Sequence, residues 1–138
     1  MNNKTFEKQA LRHGEVVVIP IDALPEGIEL EYEGKNHPIG HSETGHHHVL
    51  TADAMVFNPV SAVSNSTAYQ FLCKKIWGDD STLWPEELVP FKAKSGGQIV
   101  HQKSFDVHAP IDVLKGLYVK YTKRRFNYFS KMMEKVVD

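Results

Sequence analysis

Apolar positions along most of this chain recur in short runs bounded by turn-forming residues. Residues 15–21 (EVVVIPI) form a β-branched run between Gly14 and the turn-forming LPEG of 24–27, which predicts a buried strand entering a loop. Residues 28–33 (IELEYE) alternate apolar and acidic positions, the pattern of a half-exposed strand. Further strands are predicted at 46–51, 54–58, 67–77, 98–102 and 117–122, each set off by Gly, Pro, Asn, Asp or Ser. About seven short strands must curl or stack to bury one face. The expected architecture is therefore a mainly β, antiparallel sandwich or barrel of jelly-roll type, a single domain over residues 1–138.

Two segments depart from this pattern. Residues 78–97 (GDDSTLWPEELVPFKAKSGG) are rich in turn formers, carry Trp84 before Pro85, and read as a loop insertion, either a flap or an interaction loop. Over 124–138, Phe126, Phe129, Met132, Met133, Val136 and Val137 recur at helical spacing and predict a C-terminal amphipathic helix. Its apolar stripe reads as core or as a docking face.

Composition narrows the class. A chain of 138 residues with 41% hydrophobic and 24% charged residues matches a globular domain that needs no cross-links. No apolar run approaches the roughly 18 residues of a membrane span, and the first fifteen residues lack the apolar core of a secretory signal. The expected location is the cytoplasm or, for a phage-encoded chain, the host cytoplasm or the virion. The single cysteine, Cys73, sits in an apolar run, which excludes a disulfide framework and a Cys-rich zinc site and predicts a buried thiol. The formal charge of −1 hides an asymmetry: seven Lys or Arg against two acids over 115–138 leave the rest of the chain at about −6.

The stretch GHSETGHHHVL (40–50) concentrates four of the eight histidines within eight positions. If 46–51 is a strand, His46 and His48 share a face about 7 Å apart at the backbone, and His47 points away. Two such imidazoles can converge on one ion at about 2.0–2.1 Å each and leave room for a third ligand. His108, in VHAPI, is the best third candidate, with His101 and Glu43 in reserve. Two histidines with a third nitrogen or a carboxylate suit Fe(II), Zn(II), Mn(II) or Ni(II). The competing readings are histidines that hydrogen-bond on a polar strand face and histidines that act as acid or base without metal. His37 and His41 read as loop residues, and the internal HHH run is too short for a purification tag. No nucleophilic triad, Walker loop or dinucleotide fingerprint occurs, so phosphoryl and hydride transfer are disfavoured.

The succession RHGEVVVIPIDALPEG, ETGHHHVL, HAPIDVLKGLY and a basic-aromatic end closing in VVD resembles a family of small uncharacterised bacterial and phage-encoded proteins. The resemblance covers most of the chain in order. It falls on Thr44, Gly45, His46 and His48 of the TGHxH motif, and on His108, Pro110, Ile111, Gly116 and Tyr118 of the HxPI…GxY motif. The chain differs from that family at His41-Ser42, where Gly-Glu is usual, and in its longer 78–97 segment. More loosely, the plan is similar to cupins, in which a jelly-roll holds a metal between two strand motifs, although the glutamate after the cupin His-x-His is absent here.

Two function classes emerge. In the first, a cupin-like β-domain binds a divalent metal through His46, His48 and His108, as an enzyme or a sensor, with Glu43 orienting ligands or acting as base and Tyr118 bonding a substrate. In the second, a non-enzymatic phage-type structural or interaction protein forms homo-oligomers or assemblies through Lys123, Arg124, Arg125 and Trp84. The segment YVKYTKRRFNYF also has the composition of a single-stranded nucleic-acid surface, a partner class ranked below protein.

Overall fold

The computed structural model describes residues 10–13, 16–41, 47–101 and 110–122. The predicted C-terminal helix at 124–138 lies outside these residues, as do Lys123, Arg124 and Arg125. The described chain is mainly β, and its pairings are all antiparallel. Its strands are β1 (Leu11–His13), β2 (Val16–Ile21), β3 (Leu30–Gly34), β4 (His37–His41), β5 (His47–Leu50), β6 (Ala54–Phe57) and β7 (Val60–Ser61). Helix α1 (Ser66–Trp77) comes next, then β8 (Glu87–Ala93), β9 (Gly97–His101), β10 (Ile111–Val113) and β11 (Gly116–Thr122).

One sheet runs β1-β2-β11-β8-β6-β3, with β7 paired to β8; the other runs β10-β9-β5-β4. The two sheets face one another across a shared core, a sandwich whose hydrogen-bonded paths stay open and close no barrel. α1 covers the outer face of the larger sheet, so three layers stack: helix, large sheet, small sheet.

This layering explains the EVVVIPI run. Val17, Ile19 and Ile21 pack on the helix side, whereas Val16 and Val18 pack between the sheets. A strand buried on both faces has no polar face to show, and its sequence reads as continuously apolar. The prolines sit where a missing N–H is tolerated. Pro20 lies beyond the reach of three-residue β1, which pairs only with Val16 to Val18. Pro90 lies where β6 has ended at Val56↔Phe91 and β7 has yet to begin at Val60↔Leu88, so it marks the break between those two partners of β8.

Two expectations are corrected. Residues 67–77, expected as a strand, are the body of α1: Ala68, Tyr69, Leu72, Cys73, Ile76 and Trp77 are buried, a spacing of i, i+1, i+4, i+5, i+8, i+9 that defines one helix face. The aromatic and β-branched content of the run imitates a strand, but alternation would have buried every second residue instead. Residues 78–97, expected as a loop insertion, contain β8, which pairs with both β11 and β6 inside the larger sheet. Only a short 3₁₀ turn at Ser81–Leu83 and its flanks are loop-like. His37 and His41, expected in a loop, are the two ends of β4.

Helix α1 starts at Asn65, whose left-handed backbone (φ 57°) turns the chain, while its side-chain amide donates to the Gly27 carbonyl at 2.8 Å. At the other end Lys75 reaches Asp22 at 2.6 Å, tying the helix to the exit of β2. Cys73 is fully buried as expected, and burial pushes its thiol up to about 11, which leaves it protonated and unreactive.

The two sheets are joined by the short segments 35–36, 51–53, 94–96 and 114–115, which link β3 to β4, β5 to β6, β8 to β9 and β10 to β11. The strand order matches across the fold: β3, β6, β8 and β11 lie side by side in one sheet, and β4, β5, β9 and β10 in the other, in the same sequence. The small sheet is thus the large one folded back on itself at one end. Hydrogen bonds secure the fold at each turn. Tyr32 donates its hydroxyl to the Lys35 carbonyl (2.6 Å) and Tyr118 to that of Leu114 (2.6 Å). The Thr51 N–H donates to the Gln98 carbonyl (2.8 Å), and the Lys94 N–H to that of Asp53 (2.7 Å).

The inward positions form three levels counted from the fold. The first is mostly small, with Ala52, Ala54, Ala93, Gly97 and Gly116, and with Val113 buried opposite Gly97. A Cβ at Gly97 would stand 2.5 Å from the Ala52 backbone nitrogen, so only glycine allows this approach. The second level is bulky, with Leu50, Val56, Ile99, Phe91 and Tyr118, the last two stacked at 5.2 Å.

Gly97→Ala is expected to lower the free energy of unfolding by about 2 kcal/mol, the usual scale of overpacking against backbone, measured by urea denaturation. An unchanged midpoint would show that the fold line yields without cost. Lys75→Met tests the helix tie. The Lys75 amine, by its hydrogen bond, holds Asp22 below its ordinary 3.8, so the pair stabilises above that pH and ceases to do so as pH falls through the folded value. With both side chains partly exposed, the loss near neutrality is expected to stay under about 1 kcal/mol and to vanish in acid, as read from thermal melts across pH.

Candidate functional site

All the short inter-sheet connections lie at one end, so the opposite end is where His41, His47, His48 and His101 stand, at the far ends of β4, β5 and β9. The register pairs His41 with His47 and His48 with His101 on neighbouring strands. Four histidines separated by up to sixty positions in sequence thus occupy two adjacent rows at the open end of the small sheet. His37 belongs elsewhere: it sits at the fold, with its ring 4.6 Å from that of Tyr32.

His48 is two residues from Leu50 and shares its inward face. It is 4% exposed, the one buried polar side chain among the described residues. Directly opposite positions of an antiparallel pair place their Cβ atoms about 4.5–5.5 Å apart. Positions 48 and 101 have that relation, which is within the span of two ligands on one ion. Level three of the inward face therefore comprises His48 and position 101 on the small sheet, and Val89 and Lys120 on the large one, where they are register partners.

Lys120 comes after Tyr118 on the inward face of β11, while Val119 between them packs toward α1. It is half-buried, and desolvation lowers the pKa of its amine, an effect opposed by the negative fields of Glu87 and Glu31. No described carboxylate comes within ion-pairing distance of it.

The other predicted residues are distributed around the molecule. His46, His108 and Glu43 lie outside the described residues; His46 directly precedes β5, and His108 precedes β10 by three positions, both strands starting at the open end. Tyr118 is buried at level two, its hydroxyl proton given to Leu114, and burial raises its pKa. Trp84 is half-buried against the helix layer: its indole N–H donates to the Gly78 carbonyl at 3.1 Å, and its ring meets Tyr69 edge-on at 5.9 Å. Among the described residues, no group of three His, Cys, Asp or Glu side chains is placed to hold a metal ion.

Sequence reasoning held His101 only in reserve and counted Lys120 merely as part of a basic end. The alternation Tyr118-Val119-Lys120 within β11 carried the signal for Lys120, since it puts a lysine in line with a core tyrosine. Nothing local signals the partnership of His48 with His101, which depends on long-range register.

No helix among the described residues is long and apolar enough to cross a membrane. Comparison with curated proteins and with solved structures finds no match to the chain. A family profile does match, over residues 12–123, which takes in every strand from the start of β2 through β11, and the chain belongs to that family, described as a domain of unknown function (DUF8820).

Proposed function

We propose that this protein binds a divalent metal ion at the open end of the sandwich, with His48 as the central ligand. The observation that carries the reading is the register: His48 is buried on the inward face directly opposite position 101, with the His41 and His47 row beside it. Imidazole ligands suit Zn(II), Fe(II), Mn(II) or Ni(II). His46 and His108 are the ligands that the sequence adds to this set, which would give the cupin-like plan of a metal held between strand motifs. The metal would polarise an oxygen of a small ligand entering from the mouth.

The alternative, an interaction protein that docks through Trp84 and the basic C-terminal segment, draws less support. Trp84 commits its N–H and ring edge to Gly78 and Tyr69 within the same molecule. An indole anchored in this way stiffens its own loop and offers little surface to a partner.

Untagged, chelator-treated protein is expected to take up near-stoichiometric Zn(II), Fe(II), Mn(II) or Ni(II), read by elemental analysis after equilibrium dialysis. His48→Ala and His101→Ala, each verified by circular dichroism, are expected to weaken uptake at least tenfold, while His37→Ala leaves it unchanged because His37 sits at the opposite end. No uptake of any of these ions by the wild-type protein would refute the reading. Equal losses from all three variants would mean that the histidines act through the fold and not as ligands.

A further inference from the structure

We infer that the free edge of β3 is a docking site for a short extended segment of a partner protein in which basic and apolar residues alternate, added to the large sheet as a further strand. The inference is independent of the metal reading.

The edges of the two sheets are not equivalent. β1 and β10 end their sheets on the same side, where they come close to each other. β4, the other edge of the small sheet, carries Pro38, a residue that discourages pairing at an edge. β3 ends the large sheet without a proline, and Glu29, Leu30, Glu31 and Glu33 are all exposed. Its backbone is directed outward at Leu30. The Asn58 N–H donates to the Glu29 carbonyl at 2.8 Å, and Leu30 is the register partner of Phe57. In an antiparallel ladder such a bond flanks a pair that exchanges no hydrogen bonds of its own, so the Leu30 N–H and C=O point away from β6 to the free edge. Groups presented in this way are a template for an added strand, and the register shift at Glu31 keeps the available run short.

The side chains define the occupant. Val56 packs inward, so Phe57 and its partner Leu30 lie on the outer face of the sheet, and Leu30 is 47% exposed because α1 does not reach it. An apolar residue directly opposite Leu30 on an added strand covers it. Glu29 and Glu31 flank Leu30 and make no ion pair among the described residues, whereas Glu33 is held by Lys94. Lysine or arginine on either side of the apolar residue complements these two carboxylates. The same acids turn away a second copy of the chain. Two β3 edges paired antiparallel about Leu30 would set Glu29 of one directly opposite Glu31 of the other, and like charges in that relation are destabilising.

The test titrates the full chain into a fluorescein-labelled eight-residue peptide of alternating lysine and valine and reads fluorescence anisotropy. Saturable binding is expected, and none to the matching peptide of glutamate and valine. A valine opposite Leu30 uses its own N–H toward β3, so N-methylation of the valine amides is expected to weaken binding at least tenfold, while N-methylation of the lysine amides is tolerated. Leu30→Pro deletes the N–H that faces the free edge and spares the bonds to β6, and is expected to lose affinity at least tenfold. The double variant Glu29→Lys with Glu31→Lys is expected to lose as much, and it decides the question should Leu30→Pro fail to fold. No binding by the wild-type chain, equal binding of the glutamate peptide, equal effects of the two N-methylated peptides, or unchanged affinity in the folded variants overturns the inference. A wild-type chain that elutes as a dimer in size-exclusion chromatography, and as a monomer with Leu30→Pro, assigns the edge to a second copy and overturns it as well.

Discussion

The architecture depends on a close approach at one line, where the sheet folds back on itself. A close approach at such a corner favours small inward side chains, and the first level supplies Ala52, Ala54, Ala93, Gly97 and Gly116, with Val113 packed opposite Gly97. At Gly97 even one methyl group would drive into the Ala52 backbone. Because the corners recur at 35–36, 51–53, 94–96 and 114–115, the two sheets inherit one strand order, and neither can slip in register without dragging the other. Hydrogen bonds from Tyr32, Tyr118, Thr51 and Lys94 hold this line, so it stays narrow while the remainder of the gap fills.

The narrow line imposes a gradient on the core. Moving away from it, many of the inward residues grow from alanine and glycine to Phe91, Tyr118, Leu50 and Ile99, and at the third level His48 and Lys120 join the apolar Val18 and Val89. Aromatic stacking of Phe91 on Tyr118 fills the widest apolar part and leaves no polar atom unserved, since the Tyr118 hydroxyl reaches back to the Leu114 carbonyl. The bulky second level acts as a floor. It separates the fold, which needs rigidity, from the mouth, where titratable groups accumulate. Helix α1 supports the other face of the same central strands through Leu72, Cys73 and Ile76, so β2, β8 and β11 are packed on both sides and hold the inward positions in place.

How much of this was legible in the sequence depended on the range of the signal. Runs with strong local character were readable: EVVVIPI became β2, and the stretches around Val49, Val56, Ile99 and Val119 became strands within a residue or two of their predicted bounds. The errors arose where composition and period disagreed. STAYQFLCKKIW holds strand-favouring residues at helical spacing, and the spacing prevailed because the large sheet needs a cover for Ile19 and Val119. ELVPFKA looked like loop because of its proline and its turn-rich surroundings, yet Pro90 falls in a gap of the ladder where no donor is required. Of the candidate site, His48 was readable from the cluster around it. Its pairing with His101, 53 residues away, arises from the β5–β9 register and had no local trace.

The open end carries a buried imidazole, His48, on the small sheet and a half-buried amine, Lys120, on the large one. A buried imidazole loses hydration and is stable only when its ring nitrogens are bonded. On the large sheet, desolvation lowers the pKa of the Lys120 amine, and the fields of Glu87 and Glu31 oppose that shift. Among the described residues neither carboxylate makes an ion pair with the amine. The folded-back sheet sets the depth at which both walls present these groups, and so couples the geometry of the fold line to the chemistry of the open end.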